Sequence, residues 1–184
     1  MALTESTMLP LGTRAPAFEL PDTVTGASLS LAKLAGERAT LVMFVCNHCP
    51  FVKHVLPGII ALANDYLPKG VAVVAISSND ALNYPGDGPA QMAEVAKLNG
   101  FGFPYLYDES QATARAYQAE CTPDFFLFDA QLRCVYRGRM DASKPGNDQP
   151  NDGADLRRAL DALLSGQLVP ADQKPGIGCN IKWR

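Results

Sequence analysis

The sequence predicts an α/β protein: a central mixed sheet flanked by helices, with a β-hairpin near the start and an extension at the end. Three observations carry this. Thr40–Val45 and Val71–Ile76 are unbroken apolar runs, the pattern of strands buried on both faces. Each is followed by a segment of helical periodicity. Later, Asp124–Phe128 and Leu132–Tyr136 flank Asp129-Ala130-Gln131 and read as an antiparallel hairpin. Alternating strands and helices that end in a hairpin give a sheet with parallel and antiparallel members.

The elements follow in order. Residues 1–16 read as a loose arm ending at Ala15-Pro16. Phe18–Leu20 and Ser28–Ser30 flank a turn-rich segment and suggest a small hairpin, with one helical turn over Ser30–Leu34. Pro50–Tyr66 reads as a helix interrupted at Pro57-Gly58, since an interior proline removes a main-chain donor. Asn79–Gly88 is a polar loop, and Pro89–Leu98 a helix with proline in its first turn. Tyr105–Tyr107 is a short strand and Ser110–Ala119 a short helix. Asp141–Gly153 is a loop, Ala154–Leu164 an amphipathic helix, and residues 166–184 a tail. A chain of 184 residues suits one domain spanning 1–184.

Composition narrows the function. A formal net charge of −3 gives no electrostatic reason to expect nucleic acid or an anionic membrane as partner. No apolar run approaches a membrane span, and the first residues lack the pattern of a signal peptide, so the cytoplasm is the expected location. The 5 cysteines are too few for a disulfide scaffold. In a reducing compartment a close pair points to catalysis or metal binding.

That pair lies in Cys46-Asn47-His48-Cys49-Pro50, where a strand hands over to a helix. Unpaired N–H groups and the positive end of the dipole at a helix start favour a thiolate. Pro50 suits the first helical position, which makes Cys49 the N-cap. Cys46 lies before the helix and feels less of that field. On this argument Cys49 attacks and Cys46 resolves; the reverse order stays open. His48, if protonated, would stabilise the neighbouring thiolate; alternatively it is a surface imidazole. His54 reads as a solvated helix residue, and Cys134 as a core or half-buried strand residue.

Three segments resemble the peroxiredoxin-like, or redoxin (AhpC/TSA), branch of thioredoxin-fold proteins. They are Gly12-Thr13-Arg14-Ala15-Pro16-Ala17-Phe18-Glu19-Leu20, Asn47-His48-Cys49-Pro50-Phe51-Val52-Lys53 and Thr122-Pro123-Asp124-Phe125-Phe126. The ending Gly178-Cys179-Asn180-Ile181-Lys182-Trp183-Arg184 is also similar to that branch. The resemblance implies a thioredoxin-like fold and a thiol–disulfide oxidoreductase that needs no organic cofactor and no metal. An ungapped register gives Cys49 the first-cysteine position, Val52 the second, and Met43 the place of the thioredoxins' buried acid.

By the same resemblance, Thr122-Pro123 matches the cis-proline loop. That loop would lie against the cysteines and leave the Thr122 main chain free to pair with an extended substrate, with Pro50 also at the substrate surface. Cys121 and Cys179 are candidate accessory thiols that could pair with each other. Implied partners are protein or small-molecule disulfides and dithiols, and a thioredoxin-type reductant. The runner-up is a thiol peroxidase, disfavoured because Val42 and Cys46 occupy the places of the peroxiredoxin Pro and Thr/Ser when Cys49 attacks. A third reading is copper or zinc handling by Cys46, His48 and Cys49.

Overall fold

The computed structural model describes residues 2–184. Leu3–Glu5 forms the first strand, β1. Glu19–Pro21 (β2) and Ser28–Ser30 (β3) make the expected hairpin, and Ser30 caps the single turn Leu31–Leu34 (α1) by accepting from the Lys33 N–H. The remaining order is β4 (Ala39–Phe44), α2 (Pro50–Tyr66), β5 (Val71–Ser77), α3 (Pro89–Leu98), β6 (Tyr105–Tyr107), α4 (Ala112–Ala116), β7 (Cys121–Thr122), β8 (Asp124–Asp129), β9 (Cys134–Gly138), α5 (Ala154–Leu164) and β10 (Ile177–Asn180).

Five strands form the central sheet in the order β6-β5-β4-β8-β9. β4, β5 and β6 run parallel, while β8 pairs antiparallel with β4 and β9 with β8. The sheet is mixed, as the element pattern predicts. All of β4 is buried because successive side chains serve opposite faces. Leu41 and Met43 pack with Val52, Ile59, Met92 and Leu160 on one side. Val42 and Phe44 pack with Phe126, Tyr117, Phe18 and Leu31 on the other. Tyr117 meets Phe44, Phe126 and Phe128 at centroid separations of 5.5–5.9 Å, the tilted and edge-on geometry aromatic rings prefer.

Three expectations are corrected. The helix α2 is continuous through Pro57. Gly58 lets it pass close to the later chain: a Cβ there would lie 2.5 Å from Asn151 Oδ1 and 2.9 Å from Met140 Cε. α4 is shorter than predicted, because Gln111 takes a left-handed conformation (φ 64°) and the buried Asp108 carboxylate accepts the Ala114 N–H. Neither end of the described chain is loose. β1 pairs with β10, and β10 pairs with β7, giving a second sheet of three strands.

Glycine makes that second sheet possible. A Cβ on Gly178 would stand 1.9 Å from the Thr122 carbonyl oxygen and 2.7 Å from its carbon, both rigid main chain. Gly178→Ala is therefore expected to force β10 off β7. The loss should be at least about 2 kcal/mol, a Tm roughly 4–8 °C lower, with faster proteolysis of the tail. An unchanged Tm and intact tail would show that β10 does not need the close approach.

Candidate active site

The site forms where β4 ends and α2 begins. Cys49 is the N-cap of α2, with Pro50 at the first helical position, as the sequence implies. Both sulfurs are buried: Cys46 is 2% exposed and Cys49 0%. Thr122 touches both. Its hydroxyl lies 3.4 Å from Cys46 Sγ, and its carbonyl oxygen lies 3.3 Å from Cys49 Sγ. The Thr122–Pro123 peptide bond is cis, as the resemblance implies.

The two thiols differ in their surroundings. Cys49 is brought down to about 4, first by a hydrogen bond from the Cys46 thiol, and then by the Cys179 thiol and the Val52 and Cys179 N–H groups. No formal capping bond closes at the helix start, yet the Val52 N–H faces the sulfur and favours its anion. Burial opposes this and is outweighed. Cys46 moves strongly upward, because as a thiol it donates to Cys49, and because burial and the Asp87 charge disfavour its anion. Both shifts point the same way, favouring a Cys49 thiolate that accepts from a Cys46 thiol.

Asp87 is the functional residue that sequence reasoning misses. It belongs to a 3-10 turn at Pro85–Asp87 and is fully buried. Its Oδ1 accepts the Asn47 and His48 N–H groups at 2.8 and 3.2 Å, and its Oδ2 accepts Asn79 Nδ2 at 2.8 Å and pairs with His48 Nδ1. Asn47 adds a bond to the Gly86 carbonyl at 2.9 Å. One buried carboxylate thus fixes the turn that carries both cysteines. Met43 leaves the thioredoxin acid's position empty of charge; Asp87 brings a carboxylate to Cys46 from a different element.

His48 is no free surface imidazole. Besides Asp87 it stacks on Tyr84, with centroids 5.7 Å apart and planes 9° apart. His54 is half-buried with no partner for Nε2, which corrects its reading as a solvated residue. Cys46 Sγ, a His48 ring nitrogen and an Asp87 oxygen lie within 4.8 Å of one another, close enough to share a cation. The Asp87 oxygens, however, already accept four donors, which argues for a structural carboxylate over a ligand.

The second sheet corrects the reading of Thr122 and of the accessory thiols. The Thr122 main chain is not free: it pairs with Cys179 across the β7–β10 ladder. An extended substrate would have to displace β10. Directly opposed residues share a face and neighbours alternate, so Cys179 lies on the Thr122 side, whereas Cys121, opposite Asn180, faces the other way. The register therefore separates Cys121 from Cys179. Cys121 contacts the Pro123 carbonyl at 3.8 Å, and burial pushes its thiol up. Cys134 is buried in β9, as expected.

A cavity of about 300 Å³ opens beside Phe51 and Pro123. Val55, Phe125 and Ile177 add apolar wall, and Arg139, Asp141 and Lys144 add charged groups to the lining. Pro50 is exposed at the helix start.

Comparison with known proteins agrees with this architecture. Residues 11–137 match the AhpC/TSA family. The chain belongs to that family. An uncharacterized conserved protein from Geobacillus kaustophilus is 55% identical, with a TM-score of 0.99 over 100% of this chain and 97% of that one. The hypothetical protein SMc02350 from Sinorhizobium meliloti 1021 is 48% identical, with a TM-score of 0.96 over 98% of each chain. A thiol:disulfide interchange protein of the thioredoxin family from Chlorobium tepidum TLS is 20% identical, with a TM-score of 0.64 over 83% of this chain and 97% of that one, and shares the fold. A search of curated proteins returned no match. Membership of the AhpC/TSA family supports a redox function and an oxidoreductase acting on thiols. Among the described residues, no helix is long and apolar enough to cross a membrane.

Proposed function

We propose that this AhpC/TSA protein is a thiol–disulfide oxidoreductase in which Cys49 attacks and Cys46 resolves. The observation that carries the reading is the place of Cys49 as N-cap of α2, with Cys46 in the turn just before it and within reach of its sulfur. The Cys49 anion attacks one sulfur of a substrate disulfide and expels the other as thiolate. Cys46 then gives up its proton and attacks Cys49 Sγ, releasing the second substrate thiol and closing Cys46–Cys49. The reverse sequence oxidises a dithiol. The sulfurs carry both electrons, so the reaction calls for no organic cofactor.

Substrates are disulfides or dithiols, protein or small molecule, and the cavity by Pro123, with both apolar and charged walls, offers a place for a substrate side group. A thioredoxin-type protein suits the recycling step, and cysteines held as thiols suit a reducing compartment such as the cytoplasm. The peroxidase reading is weaker. Val42 is a fully buried strand residue, and Cys46 stands where a peroxiredoxin would present a hydroxyl.

Cys46→Ser is expected to hold a mixed disulfide at Cys49 after exposure to a disulfide, at least transiently, and Cys49→Ser to form none. Peptide mass mapping after acid quench and alkylation reads both. An adduct found on Cys46 in the Cys49→Ser form would reverse the order of the two.

A further inference from the structure

We propose that Cys179 is a second resolving thiol, which forms a disulfide with Cys49 in exchange with the Cys46–Cys49 bond. This rests on the reading of Cys49 as the attacking sulfur. β10 lies against the cis-proline loop with Cys179 directly opposite Thr122, whose carbonyl oxygen is 3.3 Å from Cys49 Sγ. The Cys179 thiol and N–H both reach the Cys49 sulfur, and the Phe51 N–H in the first turn of α2 reaches the Cys179 sulfur. Cys179 is 1% exposed, and Gly178 beside it permits the approach of main chain to main chain. Cys49 is thus flanked by two thiols: Cys46 from its own loop and Cys179 from the far end of the chain.

The order of events follows from charge. In the reduced protein Cys179 is pushed up to about 12, by burial and by its bond to the Cys49 sulfur, so it does not compete as nucleophile. Once Cys49 is joined to a substrate sulfur, its anion is gone. The hydrogen bond and the repulsion that help hold the proton on Cys179 go with it; burial, the larger cause, remains, and the Lys182 charge and the Phe51 N–H still favour a thiolate. Cys179 then loses its proton to the substrate thiolate already expelled. Its thiolate attacks Cys49 Sγ, an S–S bond forms between Cys49 and Cys179, and the second substrate sulfur leaves as thiolate. Two cysteine thiols have given two electrons to one substrate disulfide. Attack of Cys46 on Cys49 Sγ next transfers the bond, with the proton of Cys46 passing to Cys179 and no net change of electrons. While Cys49–Cys179 stands, β10 is tied over Thr122–Pro123; once Cys46–Cys49 forms, it is untied.

The test uses the full chain and its Cys46→Ser, Cys46→Ser/Cys179→Ser, Cys46→Ser/Cys179→Ala and Cys46→Ser/Cys121→Ser forms, each checked for fold by circular dichroism. All are equilibrated with oxidised and reduced glutathione, acid-quenched, alkylated and mapped without reduction. Cys46→Ser is expected to yield a Cys49–Cys179 cross-link. Its glutathione adduct at Cys49 should decay at least roughly tenfold faster than in both variants that lack Cys179, as an intramolecular thiol at high effective concentration requires. Cys121→Ser, placed in the Cys46→Ser background, should leave the cross-link unchanged. A lasting adduct at Cys49 in Cys46→Ser, with Cys179 alkylated as a free thiol, would overturn this proposal and leave the attacking role of Cys49 standing. No adduct at Cys49 in any form, with no bond between Cys46 and Cys49 in the native sequence, would overturn the attacking role itself.

Discussion

The Cys46–Cys49 couple is expected to be more oxidising than thioredoxin, with a reduction potential above about −270 mV. Magnitudes decide this. Lowering a thiol from near 9 to about 4 raises its thiolate fraction at pH 7 by roughly a hundredfold. A thiolate that stable is a poorer nucleophile, and the Brønsted slope of about 0.4–0.5 takes back roughly the same factor. Attack is therefore hardly faster. What remains is the equilibrium effect: the Cys49 thiolate that the donors stabilise exists only in the reduced form. That favours reduction of the Cys46–Cys49 bond.

Two measurements check this. Thiolate absorbance at 240 nm, taken as the difference between the native protein and Cys49→Ala, should titrate with a midpoint near 4. Equilibration with glutathione buffers should place the couple above the thioredoxin value. Cys49→Ala should also abolish disulfide exchange. A midpoint near 9, or a potential at or below that of thioredoxin, would contradict the assignment of the thiolate.

Stability is expected to fall as pH rises from about 4 to about 7 through one buried group, Asp124. It follows the cis proline and is 0% exposed. Oδ1 accepts from Ser6 Oγ at 2.8 Å, while Oδ2 is buried with no partner. Burial raises its carboxyl to about 7, against the Ser6 bond and the Phe125 N–H. The folded state thus keeps a proton that the unfolded chain releases near its ordinary value of 3.8. Between those values the native state binds more protons than the unfolded state, so each step up in pH favours unfolding. The contribution is complete above the folded value and is on the order of 4 kcal/mol.

Asp124→Asn removes the titration and retains an acceptor for Ser6. Its stability relative to the native protein should rise across that pH window, as read by urea unfolding at a series of pH values. The comparison matters because other groups pull the opposite way: the lowered Cys49 thiol adds stability as pH rises above about 4, and Asp80, lowered by its bonds to Asn83 and Arg184, adds it above its own range. Equal pH slopes for the two proteins would refute the role of Asp124.

The central sheet was readable because its strands are apolar without interruption, which leaves few alternatives for Val42, Val74 or Phe126. The start of α2 was readable for a local reason: Pro50 can hardly sit anywhere but the first turn. Asp87 was not readable. Its partners, Asn47, His48 and Asn79, lie in other segments, and nothing in Pro85-Gly86-Asp87-Gly88 announces a carboxylate turned beneath a cysteine loop. The tail does carry a local sign of its strand. Ile177, Cys179 and Ile181 alternate with polar or small residues, which is the period of a strand. The register of β10 on β7, and so the partner of Cys179, depends on contacts across more than fifty residues of intervening chain, which no local pattern encodes.

β1, β10 and β7 lie side by side, and Thr122 of β7 and Cys179 of β10 rest on the sulfurs, so the strands themselves form the cover. A cover of that kind acts as a sieve. Reagents small enough to slip past closed strands meet the thiolate directly. A folded protein meets it only in the fraction of molecules whose outer strands have peeled away, and its apparent rate is scaled by that fraction. Size, before chemistry, becomes the first criterion of selection.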